Sequence, residues 1–480
     1  MSGTGRSVRA ALCLGGLSLA AALQPDAALA SPEIDRLTGL ASQGDRAALD
    51  SLVEIARRKK DADAEYALGL MAYEGRGLER NTKQAFQLIE RAASKGHAEA
   101  HHILGYFHEN GIGTRVDIVQ ALASYRRGAE AGSARARTNL GWFYEHGIGV
   151  GADPAQAAQW YAKAAEQGLP AAQANLAHLY ESGLGVSKNP QAAIALYEIA
   201  IAGGVVSAEL RLGRLMEALG DLRAATDHYA AAAKAKVPEA DLAAGRLFVA
   251  EKNPGRNLEQ GIYWLEQAAA QDRIEAILLL ATLYDKGGVG AADPRRAAIY
   301  FQRAAILGDA ESAFRYAGFL DAEVRAGSGA DPIPWFRRAA EKGHVEAQFQ
   351  LGRRLEERAK GDDTRKEAVE WYRKAATQGQ MLAALRLAMA LESGQGTDRA
   401  PAEAIDWYLK AAEVNDPEAL FRLGNLYDQG IGTQADFRRA RDYYSRAATL
   451  GHAEAARVLQ RIAGVPALRD IQDDQFKGMR

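Results

Sequence analysis

The stretch Ala134–Gly168, ARARTNLGWFYEHGIGVGADPAQAAQWYAKAAEQG, reads as two helices joined by a glycine turn. Ala136, Leu140 and Tyr144 fall at i, i+4 and i+8, an apolar stripe of helical period. Gly147 and Gly149 stop the first helix, because glycine enters left-handed backbone space without the steric cost of a Cβ. Asp153-Pro154 opens the second. The aspartate caps, and proline at the first helical position lacks only an N–H that would be unpaired anyway. Ala157, Tyr161, Ala164 and Ala165 form the inward stripe of this helix, and Gly168 ends it.

The same unit recurs eleven times. The small residue after the first helix's leucine-type position is a register mark: Gly69, Gly105, Gly141, Ala177, Gly213, Gly245, Ala281, Ala317, Gly352, Ala388 and Gly424. The interval is 36 residues, except for 32 after Gly213 and 35 after Ala317. A ring stands 20 residues after the mark in most copies, as Tyr125, Tyr161, Tyr197, Phe301, Tyr372, Tyr408 and Tyr444. A fixed period of this length predicts an all-α, right-handed superhelical solenoid of about eleven 36-residue helix-turn-helix repeats, each burying its apolar face only against its neighbours. Residues 62–452 hold the repeats, 31–61 form N-terminal capping helices, and 453–463 form a closing helix. The polar residues 464–480 read as a loose tail. Loops vary more than helices: the fifth repeat has the tight turn Leu219-Gly220-Asp221 before Tyr229, and the sixth has Asn253-Pro254-Gly255.

Residues 1–30 read as a cleaved signal peptide. Arg6 and Arg9 give a positive start, Ala10–Leu23 is apolar, and Ala28-Leu29-Ala30 is an A-x-A cleavage site, so the mature chain is expected to begin at Ser31. Leu12 before Cys13 does not fit a lipoprotein box, so no lipid anchor is expected. Cleavage removes the only cysteine, which excludes disulfides, thiolate metal sites and cysteine catalysis. The remainder carries 57 basic against 60 acidic residues, a balance that does not suggest nucleic acid or an anionic membrane as partner.

The pattern A-E-A-x-x-x-L-G-x-x-Y-x-x-G-x-G, then A-x-x-W/Y-Y/F-x-x-A-A-x-x-G, stands in His97–Gly113, Ala134–Gly168 and Pro417–Gly451. It resembles the Sel1-like repeat, a branch of the tetratricopeptide superfamily, over roughly residues 62–463. The resemblance implies an adaptor or scaffold that binds other proteins. Exported bacterial members of that family serve envelope and exopolysaccharide systems or their regulators.

Three chemical readings compete with packing. The G-x-G pairs suggest a phosphate loop, but each follows a helix rather than a strand and recurs with the repeat. His102, His108, His146 and His178 could converge on a metal, yet none has i, i+4 ligand spacing with a carboxylate partner. His97, His344 and His452 share one inter-repeat turn and read as repeat residues. Acids stand four places after the mark as Glu109, Glu145, Glu181, Glu217, Asp285, Asp321, Glu356, Glu392 and Asp428. Paired carboxylates are the tools of glycoside hydrolysis, but nine recurrences point to a duty of the repeat or a solvated rim. No catalytic residue, metal ligand or cofactor is assigned.

Positions −6, −3, +1 and +4 from the mark line one face of the first helix, distinct from the inward stripe. By analogy with tetratricopeptide stacks this face lines a groove. Its candidate partner-binding residues are Tyr66, His102, Tyr106, Glu109, Trp142, Glu145, His178, Arg214 and Arg246. Exposed Trp, Tyr and Arg are the usual anchors of interfaces, although Tyr106 and Trp142 could equally fill space between neighbouring repeats. The expected function is a non-enzymatic periplasmic scaffold, serving exopolysaccharide (alginate-like) biosynthesis or export. The alternative is a periplasmic regulator of a sensor kinase, and a polysaccharide hydrolase is the contrasting case.

Overall fold

A computed structural model describes residues 31–288, 291–327 and 329–463 of the chain. The signal peptide read at 1–30 and the tail read at 464–480 lie outside the described residues. Among the described residues there are 25 α-helices and no strand. The chain divides into two compact units, residues 1–264 and 265–480, with the division inside the helix Leu258–Ala270.

The first unit opens with the helices Pro32–Ser42 and Arg46–Glu54, the second of which runs on into a single π-helical turn, Ile55–Lys59. Lys60 stops that turn in the left-handed region, at φ 52°. Helix pairs then follow in the predicted register, beginning with Ala62–Glu74 and Thr82–Ser94. The second unit holds pairs from Ile274–Asp285 and Pro294–Ile306 to Pro417–Gln429 and Phe437–Thr449, and Ala453–Ala463 closes it. Within each unit first helices pack against their own second helices, as Ala98–Asn110 does on Ile118–Glu130, and second helices pack against the next first helix, as Ile118–Glu130 does on Ala134–His146.

The capping reading holds in detail. Asp117 and Asp153 accept the backbone N–H three residues on, each at 3.0 Å, and Asn189 does so at 3.1 Å. These side chains satisfy donors that a helix start leaves unpaired. First helices end on Gly75, Gly111, Gly147, Gly183, Gly394 and Gly430, all left-handed.

The two glycines of a G-x-G turn serve different ends. Gly111 and Gly113 have nearly equal φ, 69° and 68°. A Cβ on Gly111 would meet only its own loop, Val116 nearest at 3.0 Å, whereas one on Gly113 would lie 2.2 Å from the Thr82 carbonyl oxygen in the preceding repeat. The first glycine therefore turns the chain, and the second lets consecutive repeats close on backbone. Gly111→Ala is expected to cost about 1 kcal/mol for the left-handed backbone, and Gly113→Ala a further ~1–3 kcal/mol for overpacking. Denaturant midpoints of the two variants measure the difference, and equal losses would remove the contact from the account.

Candidate protein-binding face

The core of most repeats is a ring laid on the register mark; in the first repeat Ile89 lies on Gly69 instead. A Cβ built on Gly141 would sit 2.7 Å from the Tyr161 ring, and one on Gly105 would sit 2.6 Å from Tyr125. Tyr125, Tyr161, Tyr197, Tyr372, Tyr408 and Tyr444 are fully buried. Each buried hydroxyl then needs an acceptor, and the recurring acid supplies it. Tyr125 donates to Glu109 at 2.7 Å, Tyr161 to Glu145 at 2.7 Å, Tyr197 to Glu181 at 2.6 Å and Tyr229 to Glu217 at 2.8 Å. In the second unit Tyr372 donates to Glu356 at 2.7 Å and Tyr408 to Glu392 at 2.6 Å. Burial, with the carboxylate beside it, raises the Tyr125 and Tyr161 hydroxyls far above their ordinary range. The last repeat carries Asp428, one methylene shorter, and there Tyr444 donates to Asn425 at 2.8 Å instead.

The acids at this position therefore do the repeat's own work, and their pairing is with a tyrosine rather than with a second carboxylate. Where the ring is Phe301 or Phe336, the acid turns to arginine: Asp285 meets Arg315 at 3.4 Å, and Asp321 binds Arg325 and Arg354. Cationic partners from the next repeat also reach Glu217 (Arg246, 2.7 and 2.8 Å), Glu356 (Arg386, 3.7 Å) and Glu392 (Arg422, 3.4 Å).

Two residues assigned to the groove leave it. His102 is fully buried, its ring 6.1 Å from that of Tyr125 and its Nδ1 3.7 Å from Glu99. Burial, with the Arg135 cation nearby, drives its pKa down to about 3, so the ring is neutral. Tyr66 is half-buried and stacks on His97 at 4.4 Å. Position −3 faces the seam to the next repeat, because it lies near the helix start, where that repeat covers it. The same seam recurs as Phe314 on His344 at 4.5 Å and Phe421 on His452 at 4.4 Å.

Those histidines are helix caps. Nδ1 of His97, His344 and His452 accepts the N–H of Ala100, Ala347 and Ala455 at 3.0, 3.1 and 3.2 Å. For His344 and His452 the opposite nitrogen meets Glu311 at 2.9 Å and Glu418 at 3.1 Å, which fixes the proton on Nε2. The four histidines weighed as metal ligands are tied elsewhere. His108 lies edge-on to Phe86, His146 lies tilted against Trp142 with ring centroids 3.5 Å apart, and His178 approaches Glu181 at 3.7 Å.

What stays on the face in the first unit is Tyr106, Trp142, His178, Arg214 and Arg246, with Glu109 and Glu145 beside the aromatics. Tyr106, Trp142, His178, Glu109 and Glu145 are half-buried, and Arg214 is exposed. Arg214 pairs with Glu239 at 3.0 Å. Burial, with Tyr73 and Glu109 adjacent, pushes the Tyr106 hydroxyl up to about 12. Trp142 packs against the cluster of Leu140 and Phe143 and is left half-buried.

Stacked helix pairs with a variable aromatic and charged face define a tetratricopeptide-like repeat protein that works by binding. The Sel1 repeat profile matches residues 62–97, 98–133, 134–169, 170–205, 251–272, 274–309, 335–344, 345–380, 382–416 and 417–452. The chain belongs to the Sel1 repeat family, whose members are protein-interaction scaffolds. A solved protective antigen of uropathogenic Escherichia coli with an SLR fold is similar at 26% identity and a TM-score of 0.57, covering 91% of this chain and 92% of its own. A Sel1 repeat protein from Oxalobacter formigenes is 28% identical, with a TM-score of 0.44, covering 50% of this chain and 99% of its own. No curated protein matches.

Tyr161→Ala is expected to cost about 3–5 kcal/mol, and Tyr161→Phe only about 0.5–1.5 kcal/mol, because half-exposed Glu145 can turn to water. Hydrogen exchange of residues 98–205 should follow the first variant before the ends respond; equal effects of the two would deny the hydroxyl a minor role.

His102 gives a pH prediction. The unfolded chain takes up its proton near pH 6.5 and the folded chain only near 3. Between those values the unfolded state binds more protons, so stability falls as the pH falls through this window. His102→Leu should lose less stability than wild type between neutral and acid pH, and parallel stability profiles would contradict the assignment.

Proposed function

We propose that this chain is an exported, non-catalytic scaffold of the bacterial envelope. It holds other proteins on the first-helix face of its N-terminal repeats, in the assembly or export of an exopolysaccharide. The observation that carries the binding face is the set of half-buried aromatic side chains, Tyr106 and Trp142, one repeat apart and each three residues before a glutamate. Aromatic anchors partly covered by their own fold lose little entropy on binding and are rimmed here by polar groups. The charged residues, arginines included, are largely engaged with one another, which favours recognition over chemistry.

Export rests on the leader pattern of residues 1–30. No helix among the described residues is long and apolar enough to cross a membrane. Sequencing the N-terminus of periplasmic protein should give Ser31; an intact Met1 on cytoplasmic protein would overturn the location. A photo-crosslinking residue in place of Trp142 should give discrete protein adducts in the periplasm, while one in place of Val119, exposed on a second helix, should not. Equal adducts at both, or none at position 142 in a folded protein, would remove this face from the function.

A further inference from the structure

The repeats themselves show what belongs beside the recurring acid. In the fifth, ninth and tenth repeats each glutamate has a tyrosine hydroxyl on one side and a guanidinium on the other: Tyr229 and Arg246 on Glu217, Tyr372 and Arg386 on Glu356, Tyr408 and Arg422 on Glu392. Glu181 has Tyr197 and lies beside Arg211. Arg211, Arg386 and Arg422 all occupy the position two residues before the mark. In the third and fourth repeats that position is Asn139 and Asn175. The preceding acids, Glu109 and Glu145, keep their tyrosines, and among the described residues no salt bridge reaches either; the nearest cationic influence is that of Arg211 on Tyr161, the partner of Glu145.

We propose that Glu109 and Glu145, with Tyr106 and Trp142 beside them, are slots for the lysine or arginine side chains of a basic protein segment laid across the second and third repeats. The inference rests on the reading of this face as the protein-binding surface and names the chemistry of what it binds. Three observations carry it. The carboxylates are half-buried and their charge is unmatched, a state that costs free energy until a cation arrives. Burial raises Glu109, whereas Glu181, less deeply buried and hydrogen-bonded to His178 and Tyr197 with Arg211 nearby, is lowered. Each slot also has an aromatic side chain one helical turn away, and a guanidinium is weakly hydrated enough to lie against the Tyr106 ring, or against the edge that Trp142 leaves beside His146, while it meets the carboxylate. Two equivalent slots on successive first helices suit an extended chain with repeated basic residues.

The full mature chain is tested by fluorescence anisotropy with a labelled synthetic peptide that alternates arginine and serine, beside a matched glutamate–serine peptide and a glucosamine oligomer. The arginine peptide is expected to bind, to weaken as salt is added, and to lose about tenfold in affinity with Glu109→Gln. That variant keeps an acceptor for Tyr125 and removes only the charge. Asn139 is buried and bonded to the Tyr125 hydroxyl, so Asn139→Arg, which restores the guanidinium found in other repeats, is first checked for a cooperative melt; folded, it should likewise lose about tenfold in peptide affinity. No binding of the arginine peptide, binding unchanged in both variants, or binding of the glucosamine oligomer alone overturns the inference. If crosslinking at position 142 succeeds while the arginine peptide fails, the face stands and only its basic partner falls; failure of both removes the face.

Discussion

Everything in this chain depends on a tyrosine ring lying flat on a residue that has almost no side chain. The contact brings the two helices of a repeat closer than larger residues permit, and it buries a hydroxyl that cannot be left unpaired. A glutamate at the edge of the first helix reaches the hydroxyl at 2.6–2.8 Å in six repeats. The requirement is one of length as well as charge. Asp428 is too short, and Tyr444 turns to Asn425. Where the ring is Phe301 or Phe336 the shorter aspartates Asp285 and Asp321 suffice, since there is no hydroxyl to reach. Ring and acid thus vary together along one chain, as a physical pair should.

With that pair in place the loop between the helices is free to change. The fifth repeat loses four residues at Leu219-Gly220-Asp221. Yet Tyr229 still finds Glu217, 12 residues away instead of 16. Between repeats a second set of constraints acts. The second glycine of G-x-G sits against the preceding helix start, as at Gly113 and Thr82, and capping histidines receive the aromatic rings of the preceding first helix. These contacts are local to neighbours, which is why variation in one repeat need not propagate.

The period, the helix limits, the caps and the small-residue mark were all legible in the sequence, because each depends on the identity of one or two residues at a fixed spacing. The acid's role was half legible. Nine recurrences of Glu or Asp pointed to a duty of the repeat, but a helical wheel places that position outside the core. A glutamate side chain is long enough to reach back over the edge, which a wheel does not represent. Tyr66 and His102 were misplaced for a related reason. A wheel assigns faces of one helix and does not show what covers them; the next repeat closes over position −3, so a polar or aromatic residue there becomes seam. His102, with neither ring nitrogen hydrogen-bonded, is a cost that spacing could not reveal.

The same constraints separate fold from recognition. The mark and the ring are fixed by packing and position +4 by the hydroxyl, and the seam between repeats limits position −3. Position +1 is held by none of these, and along the first unit it runs Leu70, Tyr106, Trp142, His178, Arg214 and Arg246. Leu70, Tyr106 and Trp142 still lay one side on the core, but a residue that changes from aliphatic to aromatic to cationic while its neighbours repeat is not fixed by the core alone. It borders an acid whose charge some repeats close with their own arginine and others leave open. Position −2 is different: Asn139 and Arg211 both reach the tyrosine hydroxyl, so a change there alters the charge beside the acid and the hydrogen bond that holds the two helices together at the same time.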